Sequence, residues 1–349
     1  MAVSTILIVG PSWVGDMVMA QTLFKLLLER HPGAAVDVLA PAWAAPVLAR
    51  MPEVRRAIDM PVGHGKLLLR ERRRLGHALR AEGYDQAILL PNSLKSALVP
   101  WFARIPLRTG WRGEARYLLV NDRRVLDAAR YPLMVQRFAA LAFAAGGELP
   151  DALPRPALTV DAGNQRRLLA ELGLDGGQPL LGLCPGAEFG PAKQWPAEHY
   201  AALAERYLQR GWQVVLLGSA NDANAAGAIV AAVPEALRPR CVAAAGRTSL
   251  VDAVDLLAAC RAVVSNDSGL MHVAAAVARP LVAVYGSTSP AFTPPLGERV
   301  AVAHIELDCR PCFQRECPLG HLNCLVQLRP EAVVRTLDAL IAGPGGGAA

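Results

Sequence analysis

Apolar residues in this chain come in short solid runs separated by amphipathic stretches. Thr5-Ile6-Leu7-Ile8-Val9 is a continuous run of strand length, the pattern of a strand buried on both faces. Met17, Met19, Ala20, Leu23, Phe24 and Leu27 then recur at three and four, which predicts a helix. The switch repeats. Residues 36–40 read as a strand, 67–82 as a helix, 86–90 as a strand, 91–96 as a turn into a helix through Phe102, and 131–145 as another helix. Residues 146–156, with Pro150, Pro154 and Pro156, break the pattern and mark a domain end. Beyond them, 164–172 predicts a helix and 179–184 a strand. Strands at 213–217 and 263–265 precede helices starting at Ala223 and Ser268. A strand at 281–285 runs into Gly286-Ser287-Thr288. A last helix covers 330–341, with proline at its start, and 343–349 is expected to fray.

Strands alternating with helices imply parallel sheets covered on both faces. The expected fold is α/β, with two Rossmann-like domains, 1–156 and 157–329, facing each other across a cleft, and a C-terminal segment, 330–349. The length, 349 residues, suits two cores. With 53% hydrophobic and 19% charged residues, the chain is globular and not disordered. No apolar run reaches membrane-spanning length; the run at 273–285 is broken by Arg279-Pro280. The N-terminus has neither a basic region nor a cleavage site, so a cytoplasmic location is expected. The net charge of +6 points to an acidic partner: nucleic acid, a phospholipid surface or an anionic substrate.

Three stretches carry candidate chemistry. Gly10-Pro11-Ser12-Trp13-Val14-Gly15-Asp16-Met17 has the glycine spacing of a phosphate-binding P-loop, but Asp16 stands where the lysine belongs and Met17 where a hydroxyl would hold magnesium. A nucleotide-hydrolase reading is therefore rejected. Asp16 near a helix start is either a general base or a helix cap. The second stretch, residues 184–196, is a glycine- and proline-rich loop that delivers Lys193 beside Trp195. Lys193 is either a point charge for a phosphate or a solvated surface residue. In the third, Asn266-Asp267-Ser268-Gly269 opens a small-residue helix whose free N–H groups form an anion site; Asp267 or Ser268 equally suits a cap. His272 reads first as a packed histidine.

These three stretches resemble the bacterial lipopolysaccharide heptosyltransferases. So do Met51-Pro52-Glu53-Val54, Pro91-Asn92-Ser93-Leu94-Lys95-Ser96, Arg108-Thr109-Gly110-Trp111-Arg112-Gly113-Glu114 and Phe292-Thr293-Pro294-Pro295-Leu296. The likeness runs from residue 5 to about 340. It implies a GT-B glycosyltransferase with an N-terminal acceptor domain and a C-terminal donor domain. Such an enzyme moves L-glycero-D-manno-heptose from ADP-heptose, with inversion, onto the first heptose of the lipopolysaccharide inner core. The resemblance implies Asp16 as base. It implies Lys193, Asp267, Ser268, Gly269 and His272 as donor contacts, with Asp222 the candidate for the ribose. For the acceptor, a phosphorylated glycolipid (heptosyl-Kdo2-lipid A), the candidates are Ser12, Asn92, Lys95, Arg70, Arg73 and Arg112, with Lys66, Arg72 and Arg74 alongside. The same basic face suits peripheral contact with the inner leaflet of the inner membrane. No catalytic metal is implied, and no two aspartates stand one residue apart as metal-dependent transferases usually require.

Of seven cysteines, Cys184, Cys241 and Cys260 have apolar neighbours and read as core. Cys309, Cys312, Cys317 and Cys324 form C-x2-C-x4-C-x6-C with His321 inside, a density that suggests structural zinc. Three other classes fit the sequence less well. A zinc-containing nucleic-acid binder lacks aromatics interleaved with its arginines, so no nucleic-acid partner is expected. A nucleotide-sugar epimerase of the same architecture would need no lipid acceptor. A dehydrogenase would carry Gly-x-Gly-x-x-Gly after the first strand.

Overall fold

The computed structural model describes residues 3–61 and 66–343, and in it the apolar runs form two six-stranded parallel sheets. One lies in each of two units, Met1–Pro156 and Ala157–Ala349. The first unit holds β1 (Thr5–Val9), β2 (Ala35–Ala40), β3 (Val54–Asp59), β4 (Gln86–Leu89), β5 (Leu107–Trp111) and β6 (Asp122–Arg124), in the order β3-β2-β1-β4-β5-β6. The second holds β7 (Leu180–Cys184), β8 (Gln213–Leu216), β9 (Cys241–Ala243), β10 (Ala262–Asn266), β11 (Leu281–Val284) and β12 (Val300–Ala303), in the order β12-β11-β10-β7-β8-β9. Each unit has the same winding: its first and fourth strands are central neighbours, and the chain leaves them in opposite directions. That reversal opens a crevice at the strand carboxyl ends, between β1 and β4 and between β7 and β10.

Central strands are solid apolar because both faces are covered: Ile6, Leu7 and Ile8 have no exposed surface, and neither do Val263 and Val264. The helix Val14–Arg30 is buried through most of its length, which explains its nearly all-round apolar sequence. Periodicity passed over β3, β5, β6, β9 and β12, most of them short or at a sheet edge; β5 is an inner strand whose run carries Arg108 and Thr109. β3 is a sheet edge carrying exposed Arg55 and Arg56, and β6 and β9 have three residues each. The helix expected at 131–145 is only Met134–Ala139 with a 3-10 turn, Ala140–Ala142, because Pro132 biases Tyr131 away from helix and Leu133 is extended. The one expected at 67–82 is Leu69–Ala78 followed by a 3-10 turn, Leu79–Glu82.

The helix Pro330–Ala342 packs into the second unit: Val333 and Leu337 are fully buried, and Asp338 pairs with Arg210 at 2.6 Å. The frayed tail expected at 344–349 lies outside the described residues. Cys184, Cys241 and Cys260 are buried, and burial pushes the Cys184 and Cys241 thiols up to about 12, so they stay protonated. Among the described residues no helix is long and apolar enough to cross a membrane.

One charged residue breaks the apolar rule. Asp37 on β2 has no exposed surface and accepts from Arg55 Nε at 2.8 Å and Tyr84 Oη at 2.6 Å, with Arg56 at 3.1 Å. Burial raises its pKa, but the Arg55 and Tyr84 hydrogen bonds and the arginine charges outweigh it and hold the carboxyl below its ordinary value. Its contribution is therefore complete above the ordinary carboxylate pKa and is lost as pH falls through the lowered one. Asp37→Asn should cost about 1–3 kcal/mol at neutral pH and much less near about pH 2–3, read by urea unfolding at the two pH values.

Candidate active site

Both groups of candidate residues stand at the strand carboxyl ends where the winding reverses. In the first unit, β1 runs into Gly10, whose N–H donates to Leu39 O at 2.9 Å. A Cβ on Gly10 would lie 2.7 Å from Met17 Cε and 3.3 Å from Leu39 O, so the turn is tight and a side chain there would displace the end of Met17. Trp43 Nε1 donates to the Ser12 carbonyl at 2.8 Å and fixes the loop. The helix begins at Val14 with Trp13 in the cap position and no side-chain cap. Asp16 is therefore not the cap. It sits half-buried in the first turn, where the helix dipole favours a carboxylate.

The neighbouring strand β4 leads into Pro91–Ser96, and a residue that the sequence did not single out holds this loop. Arg116, 2% exposed, donates to Pro91 O at 2.8 Å, Ser96 Oγ at 3.1 Å, Asn92 Oδ1 at 3.1 Å and Trp111 O at 2.7 Å. Locally it reads as one more arginine in a basic chain; only the fold turns it inward. Glu114 Oε2 accepts from Leu94 N at 2.7 Å. Arg72 is a correction. Expected beside Arg70, Arg73 and Arg74 as a receiver of anions, it is buried and donates to the carbonyls of Leu67 at 2.6 Å and Lys95 at 3.1 Å. Burial lowers its pKa. Arg70, Arg73, Arg74 and Arg112 are exposed, Lys95 and Ser12 half-buried.

In the second unit the site is a polar network in a buried setting. Asp267, 4% exposed, follows β10 and accepts from Lys193 Nζ at 2.6 Å and Thr288 Oγ1 at 2.6 Å. Lys193 is thus no solvated surface residue: its side chain is 13% exposed and also lies 4.9 Å from the Phe189 ring centre. Asn266 ties the end of β10 to the long connection that follows β7. Its Oδ1 accepts from Trp195 N at 3.1 Å and Tyr200 Oη at 2.9 Å, and its Nδ2 donates to Pro185 O at 2.6 Å. Neither Asn266 nor Thr288 had been assigned a role from sequence.

The helix Gly269–Ala276 starts at Ser268, whose side chain makes no cap bond, while Asp267 points to Lys193 instead. Both capping readings therefore fall, and the first N–H groups of that helix lack a side-chain cap. Asp222 stands apart from Lys193 and Asp267. Its carboxylate accepts from Ser219 N and Oγ, both at 2.8 Å, and packs so tightly on Gly186 and Gly218 that a Cβ at either would collide with it. Its clearest role is to brace those two glycine turns.

The comparisons with known proteins agree with this geometry. The family model described as glycosyltransferase family 9 (heptosyltransferase) matches residues 72–323. The chain belongs to glycosyltransferase family 9. Lipopolysaccharide heptosyltransferase 2 of Salmonella typhimurium is 51% identical over 97% of the chain and 99% of its own length. The protein of the same name from Escherichia coli is also 51% identical, over 96% and 98%. The solved structure of E. coli ADP-heptose lps heptosyltransferase II superposes with a TM-score of 0.87 at 49% identity, covering 97% of this chain and 98% of that one. This family 9 member is thus an α/β glycosyltransferase of the GT-B class.

His272 is 5% exposed, and burial pulls its pKa down to about 4 against a smaller upward pull from Asp267. It stays neutral beside the ion pair and adds no charge of its own. Because the folded value lies below the ordinary 6.5, the unfolded chain takes up a proton that the folded chain refuses. The His272 contribution to stability should therefore decline as pH falls from 6.5 to about 4 and change no further below. His272→Gln should flatten part of that slope in urea midpoints measured across the window.

Proposed function

We propose that this transferase moves L-glycero-D-manno-heptose from ADP-heptose, with inversion, onto the first heptose of heptosyl-Kdo2-lipid A. The observation that carries the reading is the half-identity to lipopolysaccharide heptosyltransferase 2 over nearly the whole chain. The second unit supplies a nucleotide-diphosphate site in kind. Lys193 Nζ has three donor hydrogens, so it keeps Asp267 and offers the rest to a phosphate oxygen. The helix starting at Gly269 adds N–H groups and the positive end of its dipole. Ser268 and Gly269 line that start, with neutral His272 behind it, and Asp222 shapes the glycine turns beneath a ribose.

The reaction is one displacement. The acceptor hydroxyl oxygen attacks the anomeric carbon from the face opposite the phosphate, the carbon–oxygen bond to ADP breaks, and the hydroxyl proton passes to Asp16. Charge that develops on the departing ADP is met by Lys193 and the helix start. This scheme draws its base and its cation from the chain itself and places no metal at the reacting atoms. Acceptor sugars and phosphates meet Ser12, Asn92, Lys95 and Arg112, on loops held by Arg116 and Arg72. Exposed Arg70, Arg73 and Arg74 follow exposed Leu67, Leu68 and Leu69, a basic and apolar pairing that suits peripheral contact with the cytoplasmic face of the inner membrane.

Asp16→Ala and Asp16→Asn should each lower the transfer rate about a hundred- to ten-thousand-fold while leaving ADP affinity within about twofold. The check is turnover with ADP-heptose and heptosyl-Kdo2-lipid A in EDTA, beside calorimetry with ADP. Transfer near the unsubstituted rate would remove Asp16 as base. ADP-heptose bound without transfer by the unsubstituted chain would reopen the acceptor or an epimerase activity. Charge reversal at residues 70, 73 and 74 should weaken co-sedimentation with phosphatidylglycerol vesicles and raise the acceptor KM. Binding unchanged by reversal and by salt would remove the membrane contact.

A further inference from the structure

Between β12 and the last helix the chain is almost without regular structure; its only helix is the single turn Asn323–Val326. This segment holds Cys309, Cys312, Cys317 and Cys324, all free thiols, and the four line one pocket with Ser287, Arg310 and His321. Ser287 is 1% exposed and its Oγ has no hydrogen-bond partner. A buried hydroxyl left unpaired against four sulfurs is costly unless those sulfurs become acceptors, as thiolates are. The chain turns tightly here, with Gly320 N donating to Cys317 O at 3.0 Å. His321 Nδ1 already accepts from Asn323 N at 3.0 Å, which leaves the cysteines as the ligand set.

The segment is also fastened to the loop that carries Lys193. Ala192 N donates to Arg315 O at 3.1 Å, Ser287 N to Ala192 O at 3.1 Å and Phe313 N to Ser287 O at 2.7 Å. Arg310 donates to Gly286 O and Thr288 O, each at 3.1 Å, and Thr288 in turn holds Asp267. The two ends of the segment reach the core, through Ile305 and Leu307 on one side and Cys324, Leu325 and Leu328 on the other. Between them, residues 308–321 bury no large apolar side chain, and Phe313 and Leu319 are exposed, so this middle stretch needs a hold other than the core.

We propose that Cys309, Cys312, Cys317 and Cys324 bind one tetrathiolate metal ion, zinc or ferrous iron, and that this ion fixes the loop presenting Lys193. Four thiolates in tetrahedral array suit either ion. Among the described residues no three His, Cys, Asp or Glu side chains already stand at ligand spacing, so the ion must draw the sulfurs together. That movement is small: Cys309, Cys312 and Cys317 are half-exposed on irregular backbone, and a χ1 change redirects a sulfur without moving the chain. The ion does no chemistry on the sugar. The pocket reaches Ala192 and Ser287 but includes neither Lys193 nor Asp267. The kinetic part rests on Lys193 as a donor contact; the metal content does not.

The full chain, purified untagged from cells grown with added zinc and separately with added iron, is assayed for metal by plasma mass spectrometry and for thiols with a sulfhydryl reagent. One equivalent of zinc or iron per chain is expected, with four thiols shielded until the metal is stripped. Cys312→Ser and Cys317→Ser should lose the metal and weaken ADP binding about tenfold, the scale of one charged contact. Stripping and reloading the unsubstituted chain should reproduce that loss and reverse it, which covers variants that fail to fold. Protein from both media carrying well under one equivalent, or metal retained by both variants, overturns the site. Metal lost with ADP affinity unchanged overturns the coupling to Lys193, whatever the transfer assay shows.

Discussion

A carboxylate that cannot reach water governs the second unit. Asp267 is almost fully buried at the end of a central strand, and an isolated charge there would cost far more than the fold can supply. Lys193, at the end of a 3-10 turn, and Thr288, on the loop after β11, make it tolerable. The charge therefore dictates where those loops go. Removing one member of such a pair typically costs about 3–5 kcal/mol, because the other is left stranded. The same arrangement holds the lysine ammonium in one place, largely out of water, at the end of a central strand.

Around this pair the fold adds uncharged supports. Asn266 binds both ends of the loop that carries Lys193 to the end of β10, and the turn next to it leaves a helix start uncapped. Neutral His272 fills space behind the pair without competing for the carboxylate. In the first unit Arg116 and Arg72 do the equivalent work, each spending a buried guanidinium on backbone carbonyls of the loops around Pro91–Ser96. Both halves thus hold irregular, chemistry-bearing loops by burying a few charged groups at the strand ends where the winding reverses.

The sequence by itself determined the α/β class, the central strands and the glycine turns. These follow from local rules: a strand covered on both faces must be solidly apolar, and a backbone at positive φ, as at Gly190, favours glycine. Asp16, Lys193 and Asp267 could also be singled out, because charged residues next to glycine turns at strand ends are unusual. Tertiary structure alone decided how each charge is used. Arg72 and Arg116 look like any other arginine of a basic chain until the fold encloses them. Lys193 and Asp267 are 74 residues apart, and only the parallel pairing of β7 with β10 brings their loops to one sheet edge. Burial, and with it the partner of each charge, is a property of the packed chain, and local sequence does not record it.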